Sequence, residues 1–119
     1  MRLHHVGLIM SDLETAAAFY EGVLGLRRDA RPELGFPGIF YALEGGVQLH
    51  LMQVDDPYAG CALPAHGGRD RHLALAVSDL EAVRARLEAA GIDYTPSRSG
   101  RAALFCRDAD GNAIELCQI

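Results

Sequence analysis

One short pattern occurs twice in this chain, and that repetition limits the folds open to it more than any other feature. His5 is followed seven residues later by Asp12, inside Ser11-Asp12-Leu13-Glu14, and His72 is followed seven residues later by Asp79, inside Ser78-Asp79-Leu80-Glu81. Farther on, Gln48-Leu49-His50-Leu51-Met52-Gln53 matches Ala113-Ile114-Glu115-Leu116-Cys117-Gln118, which puts His50 where the second copy has Glu115. A duplicated segment must fold to the same element order both times, so whatever the first half builds the second half builds again.

The elements follow from periodicity. Residues 3 to 9 alternate, with Leu3, His5, Gly7 and Ile9 on one face and His4, Val6 and Leu8 on the other, as a strand requires. This reading turns His4 away from His5. Ser11 with Glu14, and Ser78 with Glu81, have capping-box spacing, in which hydroxyl and carboxylate each satisfy a free backbone donor at a helix start. Leu13, Ala16, Ala17, Tyr20 and Leu24 then recur at helical spacing up to Gly25, and Leu80, Val83 and Leu87 do so up to Gly91.

Short extended runs come after each helix. In the first half they are predicted at about 26–29, 39–43 and 47–54, with Glu44-Gly45-Gly46 as a tight connection. In the second they fall at about 92–95, 102–107 and 112–118, with Asp108 to Gly111 as the turn. Each half reads β-α-β-β-β, an α+β class. The expected organisation is one domain over 1–119, with module one at about 1–54, a Gly- and Pro-rich linker at about 55–71 that is a candidate flap, and module two at about 72–119.

Composition narrows the function. A chain of 119 residues, half of them hydrophobic, holds one ordinary core. The net charge of -5, with Lys absent, argues against a phosphate-binding surface for nucleic acid, and no run of residues approaches membrane-spanning length. The three cysteines (Cys61, Cys106, Cys117) are odd in number and lack any C-x-x-C, so neither a disulfide framework nor a structural zinc knot is indicated. These features predict a cytoplasmic protein with a small-molecule partner and no nucleic-acid or membrane partner.

The repeat also places chemistry. Alternation puts Gln48, His50 and Met52 on one face of the last strand of the first half, and Ala113, Glu115 and Cys117 on one face of the last strand of the second. A single strand histidine is most often a satisfied core or surface residue, but repeat-equivalent imidazole and carboxylate groups suit Ni, Zn, Co, Mn or Fe(II). Cys117 shares the face of Glu115, yet cysteine in such a place usually packs as a small hydrophobe. Arg98 and Arg101, with Arg69 and Arg71, are candidates for holding a substrate oxyanion, against the alternative of solvated charge. Phe36 and Phe40 lie in or beside a Pro- and Gly-rich loop and are candidates for apolar ligand contacts. His66 falls in the linker and has no role on this reading.

The strings HHVGLIMSDLETAAAFYEGVLGL, RHLALAVSDLEAVRARLEAAGI and FCRDADGNAIEL, which together span nearly the whole chain, resemble the vicinal oxygen chelate superfamily. That superfamily holds glyoxalase I, methylmalonyl-CoA epimerase, fosfomycin-resistance transferases, extradiol dioxygenases and bleomycin-binding proteins. The resemblance implies paired β-α-β-β-β modules forming a cup-shaped mixed sheet around a divalent metal, with His5, His50, His72 and Glu115 at the four ligand places. It implies a homodimer, with sites often completed between two chains. It also implies a lyase or isomerase similar to lactoylglutathione lyase, in which a small oxygen-chelating substrate passes through an enediolate and Glu115 is both ligand and general base. Two alternatives stay open: an Fe(II) or Mn(II) ring-cleaving dioxygenase using His5, His72 and Glu115, and a protein that binds a small molecule or antibiotic without chemistry. Bacterial glyoxalase I typically has a carboxylate where this chain has His50.

Overall fold

The structure is a computed structural model that describes residues Met1 to Ile119. It forms two compact units, Met1–Ala59 and Gly60–Ile119, and each contains one copy of the repeat. In the first unit the order is β1 (His5–Ile9), α1 (Leu13–Ala17), β2 (Arg27–Asp29), β3 (Gly38–Ala42) and β4 (Gln48–Met52), arranged as a sheet β1-β4-β3-β2. The second unit repeats this with β5 (His72–Val77), α2 (Leu80–Ala89), β6 (Tyr94–Pro96), β7 (Ala103–Arg107) and β8 (Ala113–Gln118), arranged as β5-β8-β7-β6. Both sheets are mixed: β1 runs parallel to β4 and β5 to β8, and the other pairs are antiparallel. The α+β reading of paired β-α-β-β-β modules is the observed architecture, and no helix is long and apolar enough to cross a membrane.

Alternation along β4 assigns its two faces. Leu49 and Leu51 are fully buried against the helix side, while Gln48, His50 and Met52 lie half-buried on the other. Burying a leucine side chain contributes about 1.5–3 kcal/mol, so a one-residue slip, which would exchange these sets, is strongly disfavoured. In β8 both faces are covered from Ala113 to Leu116. The extra cover is the segment around Gly67–Arg69, a single 3-10 turn.

That segment belongs to the run at about 55–71. Its second part folds onto the second sheet: His66 is buried with Nδ1 at 2.8 Å from the Thr95 hydroxyl, and the Arg107 guanidinium donates to Asp70 at 2.8 Å and to the Pro64 carbonyl at 2.7 Å. Glycine lets the turn approach the sheet closely, since a Cβ on Gly67 would lie 3.1 Å from the Phe105 Cβ and 3.4 Å from the Ala113 Cβ, a tight contact on both.

The helix starts correct the capping-box expectation by one residue. The caps are Asp12, whose carboxylate accepts from the Thr15 backbone N–H at 2.9 Å and from its hydroxyl at 2.6 Å, and Asp79, which accepts from the Ala82 N–H at 3.0 Å. A carboxylate is the stronger acceptor at the positive end of a helix, so the aspartates displace Ser11 and Ser78, and Glu14 and Glu81 become first-turn acids. A further free donor in each helix is satisfied from far along the chain. The Leu13 N–H donates to the Gln53 side-chain carbonyl at 3.1 Å, and the Leu80 N–H donates to that of Gln118 at 3.1 Å. Strand end and helix start are thus tied together identically in both units.

The first helix also departs from the expected single α-helix to Leu24. After Ala17 it widens into a π segment, Ala18–Val23, with the Leu24 N–H reaching the Phe19 carbonyl at 3.0 Å, before Gly25 ends it at φ 75°. The wider turn keeps Phe19, Tyr20 and Val23 all buried. Tyr20 stacks on the fully buried Tyr41, whose hydroxyl donates to Glu21 at 3.0 Å, and Glu21 is also held by Arg28.

Two outcomes are expected in thermal or urea unfolding. Asp79→Ala should cost about 1 kcal/mol and Ser78→Ala close to nothing, because the aspartate is the cap. Equal losses at both would restore the capping-box assignment. Gly67→Ala should destabilise by about 1–3 kcal/mol through overpacking against Phe105, a loss that Phe105→Leu should partly relieve, whereas the strain of Gly45→Ala, about 1–2 kcal/mol, comes from its left-handed backbone and should be indifferent to Phe105.

Candidate functional site

Strand register lines up the candidate residues in two equivalent rows. Across the first sheet Gly7, His50, Phe40 and Asp29 are direct neighbours, and across the second the same places hold Ala74, Glu115, Phe105 and Thr95. His5 pairs with Gln48 on β4, and His72 with Ala113 on β8. The sequence equivalence of His50 with Glu115 and of His5 with His72 is therefore an equivalence of position in the sheet.

In the first unit three rings form a stack. His5 lies over His50 with centroids 4.2 Å apart and planes at 12°, and Phe40 covers the other face of His50 at 3.5 Å and 5°. The Gln48 amide nitrogen donates to Asp29 at 2.7 Å, so its oxygen is the acceptor facing His50 Nε2 at 2.9 Å. This network assigns the proton to Nε2 and leaves the lone pair of a neutral His50 on Nδ1. Burial, then the charges of His5, His4 and Arg31, hold the His50 imidazole below its ordinary range, which favours the neutral form that a metal needs.

His4 is a correction. It precedes β1 and escapes the alternation, and its Nδ1 lies 2.8 Å from Nδ1 of His5. One of the two rings must donate and the other accept.

The second unit joins the other two candidates directly. His72 Nε2 lies 3.3 Å from Glu115 Oε2, and its Nδ1 donates to the Asp70 carbonyl at 2.9 Å. With Nδ1 carrying a proton, Nε2 of a neutral ring offers its lone pair toward the carboxylate. Such a pair is stable with a proton or a cation between the two atoms. Two ligands bound at about 2.1 Å and about a right angle apart lie roughly 3 Å from each other, so this pair has the spacing of adjacent ligands of one ion. The backbone carbonyl behind His72 is the usual outer partner of a ligating imidazole. Glu115 is only 3% exposed, and its Oε1 accepts from Arg101 Nη2 at 3.0 Å.

The donor chemistry thus fits a divalent metal, in two pairs. Neither unit gathers three or more ligating side chains by itself, and a catalytic ion held by protein commonly uses three. Among the other candidates, Arg101 reaches the site, while Arg98 is exposed in the connection between β6 and β7. Phe40 packs on His50, whereas Phe36 lies under the Arg31 guanidinium at 5.1 Å. Sequence reasoning missed Phe105, whose ring meets the edges of His66 at 5.0 Å and His72 at 5.2 Å. Extending the repeat to β3 and β7 would have paired it with Phe40. It also missed the hydrogen-bonded line from Asp29 through Gln48 to His50, because the equivalent places in the second copy hold Thr95 and Ala113, and alanine cannot continue such a line.

Known proteins resemble the chain over its full length. An ethylmalonyl-CoA/methylmalonyl-CoA epimerase of Cereibacter sphaeroides is 33% identical, covering 99% of this chain and 98% of that protein. A lactoylglutathione lyase of Haemophilus influenzae is 29% identical, covering 99% and 93%. Among solved structures, an antibiotic-binding protein from a Streptomyces species is 28% identical with a TM-score of 0.74, covering 99% and 95%. The pattern of the Glyoxalase/Bleomycin resistance protein/Dioxygenase superfamily matches residues 2–116, and the chain belongs to that superfamily.

Proposed function

We propose that this protein is a divalent-metal enzyme that moves a proton at a carbon next to a substrate carbonyl, as a lyase or isomerase, with His5, His50, His72 and Glu115 as the ligands of one ion. The observation that carries this reading is the close pair of His72 Nε2 and Glu115 Oε2, built on a buried carboxylate and matched at the equivalent positions by His5 and His50. Two similar proteins, an epimerase and a lyase, support the reading of an enzyme. A thioester or other carbonyl compound with an acidic α-hydrogen is the substrate class in keeping with both.

The bound ion would supply Lewis-acid polarisation of the carbonyl, which makes the neighbouring hydrogen acidic. The remaining work belongs to the chain. Glu115, 3% exposed and beside Phe105 in the sheet, takes and returns the proton where little water reaches the carboxylate. The Asp70 carbonyl orients His72, and the line Asp29–Gln48 orients His50. Arg101 stands beside Glu115 as the candidate partner for a substrate oxyanion.

Metal binding should raise the melting temperature of chelator-treated protein, since a ligand that binds only the folded state stabilises it by mass action. Ni, Co, Zn and Mn are the ions to test, and no shift with any of them contradicts the reading. His5→Ala, His72→Ala and Glu115→Ala should each weaken binding about tenfold or more, as loss of one ligand from a small set requires. Glu115→Gln separates coordination from proton transfer: partial occupancy should survive through the amide oxygen while turnover falls about a hundred- to ten-thousandfold. Turnover is read as deuterium uptake at the α-carbon of methylmalonyl-CoA and of other carbonyl substrates. Oxygen consumption without exchange would establish the dioxygenase alternative, and tight binding of an antibiotic with no turnover of any substrate would establish the binding role suggested by the Streptomyces protein.

A further inference from the structure

Arg101 occupies an unusual place for an exposed residue. Its side chain is 61% exposed, yet Nη2 lies 3.0 Å from Oε1 of a carboxylate whose side chain is 4% exposed, and its Nε donates to the Ser99 hydroxyl at 3.1 Å. Glu115 therefore carries a cationic partner on Oε1 and an imidazole on Oε2, both within one unit. A nearly buried carboxylate needs such compensation, because an ionised group with no partner in the interior is strongly destabilising. A divalent ion on the same carboxylate supplies that compensation itself and repels the guanidinium that Oε1 holds at 3.0 Å. Guanidinium and ion are thus rivals for one group.

We propose that Arg101 is a positioning residue that competes with the metal for Glu115 and, when the ion takes the carboxylate, turns its guanidinium to a carboxylate or similar oxyanion of the substrate. This proposal rests on the metal reading above. It orders the binding events, ion before anionic substrate, because the anion-binding cation is tied to the carboxylate until the ion arrives. Side-chain exposure permits the exchange: the guanidinium can leave Glu115 without unpacking a core, and Ser99 keeps hold of Nε near the site.

The test is a comparison of Arg101→Ala with wild type, in chelator-treated and Zn- or Ni-loaded forms, by melting temperature and by calorimetric titration of the ion. Chelator-treated Arg101→Ala should melt about 3–6 °C lower than wild type, while the loaded forms melt together. Its affinity for the ion should rise about tenfold, since the rival is gone. Arg84→Ala, which removes an exposed helical ion pair with Glu81, should change neither quantity. Acetate titrated into the loaded proteins at constant ionic strength should bind wild type about tenfold more tightly than Arg101→Ala. Equal melting losses in both forms with unchanged ion affinity would reduce Arg101 to a surface ion pair and overturn the proposal, as would equal acetate binding. Wild type that binds no ion at all would remove the metal reading and this proposal together, a result plainly distinct from ion binding that ignores the substitution.

Discussion

A carboxylate taken almost wholly out of water is the constraint around which the second unit is organised. Glu115 sits on the central strand β8 with 3% exposure, and the surrounding groups compensate its charge: His72 from the parallel neighbour β5, Arg101 from the β6–β7 connection, and the edge-on contacts of Phe105 that keep His72 in place. Each depends on backbone set elsewhere. His72 faces Glu115 because Asp70 holds its far nitrogen, and Asp70 is held in turn by Arg107, which also anchors the Pro64 carbonyl. The packing of the segment before β5 is thus tied to the orientation of the His72 imidazole. A buried charge with one partner removed typically costs several kcal/mol, a large share of the stability of a domain of this size.

The first unit solves the same positional problem with different chemistry. Where the second copy has a carboxylate, the first has an imidazole, and no buried charge needs a counter-ion there. His50 is instead held by ring faces on both sides and by the polar line from Asp29 through Gln48. Duplication has preserved the rows of the sheet and the ties between strand end and helix start, at Gln53 and Gln118, while His50 and Glu115 diverged at equivalent positions. The result is a set of three imidazoles and one carboxylate, mixed enough to suit several first-row metals.

Much of this was legible in the sequence because it depends on periods. Alternation put Gln48, His50 and Met52 on one face and Leu49 and Leu51 on the other, and the repeat carried that assignment from His50 to Glu115. What escaped depended on competition between neighbours or on distant partners. Ser11 and Asp12 are both good cap residues, and only the backbone decides that the carboxylate wins. His4 turned toward His5 because β1 begins two residues later than the alternation, at His5, so its side chain was free to do so. The widened turn in the first helix leaves no mark in a pattern of apolar residues. The packing of His66 and Gly67 on the second sheet was hidden for another reason: a Gly- and Pro-rich run looks like linker until the glycine is seen to lie close against Phe105.

X-ray absorption at the edge of a bound zinc or nickel ion tests the central claim most directly, because it reads the ligands themselves. The account predicts a first shell of nitrogen and oxygen only, at about 2.0–2.2 Å, with outer-shell scattering from three imidazoles in wild type and from two in His72→Ala. A sulfur path at about 2.3 Å, or imidazole scattering that His72→Ala leaves unchanged, would contradict it.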